Sequence, residues 1–445
     1  MIKIFKRLSI PQVIVLAYLM IILIGAVLLT FPFSAASGEW TSFIDALFTA
    51  TSATAVTGQV TLNTAAHWNY IGKTIIITLI EIGGLGFMSI WILLYYFFRG
   101  QGPNLKQRMI VTESLSFSGE GSVQSKIWYI IRFALVAQFI GAFLLAFSFV
   151  PEYGLLKGLY FSVFHSISAF CNAGFDLFGT SLINYQENSF VLLVIAGLIM
   201  AGGLGFIVWE DLLKYPRRRT LKRYTKIVLM TTIFLWVASA LYFWLMERDE
   251  QTFAHLSAGD QLSNYIFLAV TPRTAGYVNV NYATLSEGSI FLTFILMFIG
   301  ASSASTGGGI KVSTFAVLLI VIYRYVHNQQ PIIFKRNLSS TIVKRSFFIF
   351  TSGMTIAVLA TLVLFLTETL PETAGFEFIL MEVFSTLGTV GLTMGMTPLL
   401  TAVGKFILIL LMLIGRVGVL TFLWSLAGEK RESRIHYPDV DMIIG

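Results

Sequence analysis

Charge is the scarcest commodity in this chain. Asp, Glu, Lys and Arg make up 12% of its 445 residues, where a soluble domain carries about a quarter. With so little charge and a mean hydropathy of +0.79, a soluble globular protein is excluded. No polar block is long enough to bury a core of its own, so no soluble domain is expected beside the membrane part. A single cysteine, Cys171, rules out an intrachain disulfide and any multi-cysteine metal site. The five histidines, His67, His165, His255, His327 and His436, lack ligand spacing. No HExxH, intramembrane serine–histidine pair or aspartate dyad stands at workable spacing, which excludes the common hydrolases. No nucleotide fingerprint follows a strand, so control by nucleotide would need another chain.

What the chain has in abundance is apolar runs of membrane-crossing length, which is roughly 20 residues. The opening "MIKIFKRLSI" and the apolar residues to Phe33 outlast the core of a signal peptide and read as a retained first span. The net charge of +7 gathers at Lys3–Arg7, Arg99–Arg108, Lys214–Lys226, Tyr323–Arg345 and Lys430–Arg434. Neutral or acidic connections such as "ERDE" (247–250) and "TETLPET" (367–373) alternate with them. The positive-inside rule places every basic cluster, and both termini, in the cytoplasm. Topology thus accounts for the charge, and no nucleic-acid partner is needed.

Spans and basic loops mark out a unit that recurs four times. Outgoing spans are expected near 12–30, 127–149, 226–246 and 346–366, and returning spans near 70–98, 189–213, 289–325 and 403–427. Between them lie "WTSFIDALFTATSA", "LKGLYFSVFHSISAF", "LSNYIFLAV" and "FEFILMEVFSTL". These segments are too short to cross and suit re-entrant half-helices. The units run 1–108, 109–222, 223–340 and 341–428, followed by a cytoplasmic tail, 429–445. All share one orientation, unlike the inverted halves of many secondary transporters. The expected fold is therefore an all-α integral membrane protein of four M1–P–M2 repeats. Eight transmembrane helices and four re-entrant pore half-helices would surround a pseudo-fourfold central pore.

After each half-helix stands a triplet ending in glycine: Val56-Thr57-Gly58, Asn172-Ala173-Gly174, Thr274-Ala275-Gly276 and Thr389-Val390-Gly391. From these glycines to Gly83, Gly202, Gly300 and Gly415 is 25, 28, 24 and 24 residues. One such triplet could be a helix cap; four in register mark internal repetition. Backbone turning at membrane depth survives where it is buried or lines water. Glycine lets the carbonyls turn to one side, and each half-helix aims its negative end inward. Carbonyl rings of this kind favour a cation that exchanges its water shell for oxygens. The "GGLGF" runs at 83–87 and 202–206 read as close helix packing or as a direct pore element.

One returning span is broken by "GASSASTGGGIKVS" (300–313). Small hydroxyl residues and glycines redirect the backbone and satisfy freed groups, while Lys311 facing lipid would cost roughly 2.5–3.5 kcal/mol. A loop beneath the pore would give Lys311 water or a partner and would form a movable plug; a static kink is the other reading. Arg416, mid-span, carries the same cost. It either faces the cavity and pairs with loop carbonyls or hydroxyls, or bridges to Glu81, Glu210 or Asp211.

Among other residues, Asp45 could attract cations or pair with Lys73 or Arg273. Arg273 either braces the third triplet from behind or pairs externally with Glu287 or Asp260. Asn172 offers either a ligand oxygen or a hydrogen bond holding its own loop, and Cys171 reads as packing.

Four M1–P–M2 units bearing "VTG", "NAG", "TAG" and "TVG" resemble the Trk/Ktr/HKT superfamily of potassium transporters over nearly the whole chain. The nearest likeness is to the KtrB-type membrane subunits of bacterial Ktr uptake systems. The resemblance implies that Gly58, Gly174, Gly276 and Gly391 are the filter glycines. Glycine at all four positions points to K+, since serine at the first goes with sodium transport in relatives. "TVG" also matches the start of the potassium-channel filter, and the other three triplets depart from it. By the same resemblance the gate is the loop Gly300, Ala301, Ser302, Ser303, Ala304, Ser305, Thr306, Gly307, Gly308, Gly309 with Lys311, together with Arg416. Further implications are a homodimer with a pore in each protomer, Na+ stimulation with no residue locating the sodium site, and a KtrA-like partner. That partner is an RCK-type nucleotide-binding regulatory ring that takes ATP or ADP. It would dock on loops 99–108, 214–226 and 323–345, where membrane lipid would satisfy the same charges. The C-terminal "YPDVDMIIG" fits a dimer contact. The setting is a bacterial cell membrane, crossed many times. A sodium-selective or ammonium-conducting protein on this scaffold, or a carrier working by alternating access, are the other readings.

Overall fold

In the computed structural model, residues 8–86, 109, 123–248, 252–371 and 374–427 are described. The basic clusters 3–7, 99–108 and 430–434, the tail 429–445, the second half of "ERDE" and the later part of the first returning span lie outside them.

Four long apolar helices stand where outgoing spans were expected: α1 (Ile10–Thr30), α4 (Val123–Tyr153), α8 (Arg223–Glu247) and α12 (Ser340–Thr367). Each is followed by a half-helix: α2 (Phe43–Ala55), α5 (Leu155–Phe170), α9 (Ala258–Val270) and α13 (Phe376–Gly388). Half-helices of 13 to 16 residues reach about 20–24 Å, short of a bilayer core of about 30 Å. α1 starts where Ser9 and Gln12 form a reciprocal capping box behind Pro11, which ties down two otherwise orphaned donors.

The returning segments are α3 (Tyr70–Gly84), α6 (Ser189–Gly203) with α7 (Phe206–Arg218), α10 (Glu287–Phe298) with α11 (Val312–Val326), and α14 (Ala402–Val417) with α15 (Val419–Ala427). Only the third was expected to be interrupted. The second and fourth are broken too, bending by 97° and 102°. Gly205 and Gly418 stand at these bends with φ of 90° and 92°, a region closed to most side chains. The expected straight spans at 189–213 and 403–427 are corrected accordingly.

Burial is arranged from the centre outward. The half-helices bury small polar residues; Thr49, Thr51, Ser52 and Thr54 of α2 are wholly inaccessible, as is Thr57 just after it. The outgoing helices instead expose Phe139, Phe147 and Leu366 by 74%, 62% and 87%. Large apolar groups face outward, as suits a lipid solvent without a hydrophobic drive between helices.

Candidate ion pathway

The four triplets meet. Building a Cβ on Gly58 brings it against the carbonyl of Ala173 and Gly174 Cα; on Gly174, against Ala275 O and Gly276. On Gly276 it meets Val390 O and Gly391, and on Gly391, Thr57 O and Gly58. The order 1–2–3–4–1 closes on itself. The ring holds Gly58, Gly174, Gly276 and Gly391, and the carbonyls of Thr57, Ala173, Ala275 and Val390 each abut the next glycine. Eleven of the twelve triplet residues are buried, and Gly58 is half-buried.

Backbone conformation repeats as well. The first residue of every triplet is left-handed: Val56 (φ 58°), Asn172 (61°), Thr274 (77°) and Thr389 (51°). Three of these are β-branched, for which this region is a genuine outlier. Such strain persists only where the surroundings over-determine it. They do: Thr57, Ala173 and Val390 each donate N–H back five residues, to Ser52, Ser168 and Ser385 O, all at 2.8 Å. These are the closing bonds of a helix C-terminal motif. In the third unit Gly276 makes that bond one residue later, to Thr271 O at 3.3 Å.

Hydroxyls behind the triplets complete the turns. Ser52 and Ser385 Oγ accept from Gly58 and Gly391 N–H, both at 3.0 Å. Ser168 Oγ and Thr271 Oγ1 donate instead to Phe175 O (2.9 Å) and Tyr277 O (2.6 Å). Sequence reasoning passed over these residues. Their signal was present, since Ser52, Ser168 and Ser385 all stand six residues before the triplet glycine. Glu382 was missed too. Its wholly buried carboxylate accepts from Gln59 Nε2 (2.9 Å), Thr393 Oγ1 (2.5 Å) and Thr397 Oγ1 (2.8 Å). It thereby ties the residue after Gly58 to the loop after Gly391. An acid in the middle of a largely apolar half-helix, five residues after Glu377 at its start, was its sequence mark.

Asn172 holds its own surroundings. With its amide nitrogen donating to Ala169 O and Ile199 O at 3.1 Å each, its oxygen accepts from Thr274 Oγ1 at 2.9 Å. Cys171 is buried, with Sγ 3.3 Å from Glu81 Oε2. Asp45 pairs with Lys405 at 2.7 Å, not with the expected Lys73 or Arg273; Lys73 caps Ala65 O instead. Arg273 is buried behind the third triplet, 5.5 Å over the Trp236 ring and 3.4 Å from Gly300 O. It makes no pair with Glu287 or Asp260.

The residues from Gly300 to Lys311 sit against the inner side of the ring. Thr306 Oγ1 donates to Phe170 O (3.1 Å), and Gly308 N–H to Thr389 Oγ1 (3.1 Å). A Cβ on Gly307 would strike Thr274 Oγ1, and one on Gly309 would approach Gly388. Ala301 N–H reaches Gly308 O (3.3 Å), and Ser305 Oγ donates to Ser302 O (2.6 Å). Lys311 Nζ turns back on its own loop, to Gly307 O at 2.7 Å.

The loop docks on carbonyls that the broken spans release. Ser302 and Thr306 N–H donate to Gly203 O (3.1 Å) and Gly202 O (3.3 Å), and Phe206 N–H donates to Ala304 O (2.7 Å). Arg416 donates to Thr306 O and to Gly83 O, and to Gly84 O at 3.2 Å. Its partners are carbonyls; the expected alternatives Glu81, Glu210 and Asp211 are not among them. Beneath the loop opens a cavity of about 290 Å³, lined by Tyr18, Phe206, Ser303, Ala304, Lys311 and Arg416 among others. The glycines of "GGLGF" serve close packing: side chains at Gly83 and Gly202 would strike Thr54 O and Phe170 O at the half-helix ends.

Chemically, the ring offers a ligand set of neutral oxygens, with the negative ends of four half-helices behind it. Among the described residues no cluster of His, Cys, Asp or Glu could hold a metal ion.

Comparison with known proteins agrees with this architecture. The chain is 44% identical over 446 residues to the potassium/sodium uptake protein NtpJ of Enterococcus hirae, covering 100% of this chain and 99% of that one. It is 41% identical to the Ktr system potassium uptake protein B of Bacillus subtilis, covering 99% and 97%. The crystal structure of the potassium transporter TrkH from Vibrio parahaemolyticus superposes with a TM-score of 0.71 at 19% identity, over 92% of this chain and 82% of that one. Residues 11–432 match the family model described as TrkH, cation transport protein. The chain therefore belongs to the TrkH family of cation transport proteins and is a membrane transport protein, not an enzyme.

Proposed function

We propose that this protein is the ion-conducting membrane subunit of a bacterial Ktr-type potassium uptake system. The observation that carries the reading is the closed ring, in which each triplet glycine has the neighbouring carbonyl where its own side chain would be. Gly58, Gly174, Gly276 and Gly391 leave room for oxygens alone, and a dehydrated monovalent cation is the substrate such a ring accepts. The names of the Enterococcus and Bacillus relatives favour potassium. The Enterococcus name joins sodium to potassium, which supports sodium as activator or as a second transported ion.

Residues 300–309 with Lys311 are the gate, and Arg416 is its latch. The support is that Thr306, Gly307 and Gly308 contact three half-helix ends while Arg416 grips Thr306. A fixed positive charge below a cation filter also opposes passage until the latch releases. The repeats are taken as 1–108, 109–222, 223–340 and 341–428, with both termini cytoplasmic. In this reading the functional unit is a homodimer under an RCK-type ring that binds ATP or ADP.

Growth of a potassium-uptake-deficient bacterium on limiting potassium tests the reading. The wild-type chain with its ring rescues growth, and Gly276→Ser loses potassium affinity or preference. Deleting 301–309 raises flux and keeps selectivity. A sodium-only transporter, or an inactive but folded deletion, overturns the corresponding half.

A further inference from the structure

The helix α7 leaves α6 at Gly205 with a bend of 97°. A helix at right angles to a spanning partner runs along the membrane plane. Its outer half and the turn after it carry Lys214, Arg217, Arg218, Arg219, Lys222 and Arg223. Lys214 is engaged by Glu210, and Asp211 is taken by the Lys222 backbone N–H at 2.7 Å. The remaining five cationic side chains meet no carboxylate among the described residues, and all five are exposed. Within the same run Leu213 is 60% and Tyr215 47% exposed. A soluble acidic protein would satisfy the charges and leave the apolar pair in water. A bilayer surface satisfies both, as for interfacial basic amphipathic helices.

Both ends of this arm hold the same two residues of the loop beneath the ring. At its start, Phe206 N–H donates to Ala304 O at 2.7 Å. A side chain at Gly205 would crowd the Ser303 and Ala304 carbonyls. Just beyond its end, Tyr224 OH donates to Ser303 O at 3.4 Å. Other contacts of the loop run to half-helix ends, to the Gly202 and Gly203 carbonyls of α6, to Arg416 and to the start of α11; the arm joins Ser303 and Ala304 to an exposed basic surface.

We infer that α7 is an interfacial arm that binds the headgroups of anionic phospholipid through Arg217, Arg218, Arg219, Lys222 and Arg223, and that its seating on the membrane holds Ser303 and Ala304 and keeps the loop closed. The inference rests on the loop being the gate. Anionic lipid then lowers basal flux without any regulatory subunit. Each basic residue near such a surface is worth on the order of a five-fold change in association.

The test uses the full chain, purified alone and reconstituted in phosphatidylcholine vesicles with or without phosphatidylglycerol, with rubidium or potassium flux as readout. Wild-type flux falls at least about five-fold when phosphatidylglycerol is added. Arg217→Gln/Arg218→Gln/Arg219→Gln keeps its flux in phosphatidylcholine and loses most of the fall. Tyr224→Phe also loses the fall. A fluorophore on Leu213→Cys still reports insertion in that variant, and buried Cys171 stays unlabelled. Equal lipid dependence in wild type and the triple variant overturns the inference. So does a role of the arginines that emerges only when the regulatory ring is added, which would make α7 a protein dock. Wild-type flux of potassium without lipid dependence sinks this inference alone; no potassium flux in either vesicle sinks the proposed function.

Discussion

Two halves of the ring follow the same backbone path and are braced by different chemistry. Between units one and four, the serines Ser52 and Ser385 accept from the glycine N–H groups, and Glu382 binds Gln59 and Thr393 across the seam. Between units two and three, hydroxyls donate to carbonyls beyond the glycines. That seam is tied by Asn172 to Thr274 and by Tyr277 OH to Phe175 O at 3.1 Å. One half is held by an acid that bridges its two units; in the other the charged groups Asp176 and Arg273 each stay behind a single unit, and the seam is tied by neutral groups. Fourfold repetition therefore governs the main chain, while the supporting side chains divide the ring into two unlike pairs of neighbouring units. The carboxylate that spans a seam, Glu382, thus lies between units one and four. Cation affinity should depend more on the first half, and shape more on the second.

The largest test removes the ring geometry common to both halves. Gly276→Ala or Gly391→Ala puts a methyl where a neighbouring carbonyl stands, at a φ that alanine resists. Concentration-dependent rubidium uptake should show at least about a ten-fold loss of affinity, or about 1.4 kcal/mol. Next comes Glu382→Gln, which keeps size and most hydrogen bonding but removes the charge. Hydrogen bonds to charged groups are worth about 1.5–3 kcal/mol, so apparent cation affinity should fall several-fold. Asn172→Leu in the opposite half should instead blunt potassium preference with less loss of affinity. Equal effects from the two would erase the distinction between the halves.

Smaller effects sharpen the contrast. Ser52→Ala strands the Gly58 N–H and should cost about 1–3 kcal/mol in thermal unfolding, the usual penalty of a buried orphan donor. Ser168→Ala should cost less, because Phe175 O retains the Tyr277 hydroxyl. The least is expected of Asp45→Asn. Its pair with Lys405 lies away from the ring with both side chains about 15% exposed, so transport should change least, with the loss read in thermal unfolding and cation preference unchanged.

Much of the architecture was legible because the membrane restricts what a sequence can do. Apolar length, basic loops and registered glycines identified the outgoing helices, the half-helices and the twelve triplet residues. Arg416 and Lys311 could be singled out because charge at membrane depth demands a partner. The choice of partner was not legible. Arg416 could equally have taken Glu81, Glu210 or Asp211, and only folding brought the Gly83, Gly84 and Thr306 carbonyls to it. Lys405, 360 residues from Asp45, could not be paired by any local pattern. The bends at Gly205 and Gly418 were hidden because an apolar run looks alike whether or not it turns. The serines behind the triplets were visible six residues upstream but stood among so many small polar residues that spacing alone was needed to separate them.

Composition and periodicity were enough to dictate a lipid environment, four like-oriented units and the places where backbone must leave the helix, since burying unpaired peptide groups in hydrocarbon is prohibitive. Closure of the ring, the split in its bracing and the docking of the loop onto carbonyls of other units required the folded molecule. Those contacts join residues up to some 330 positions apart. Hydrogen bonds act over about 3 Å, so neighbours of that kind are chosen by packing and not by order along the chain.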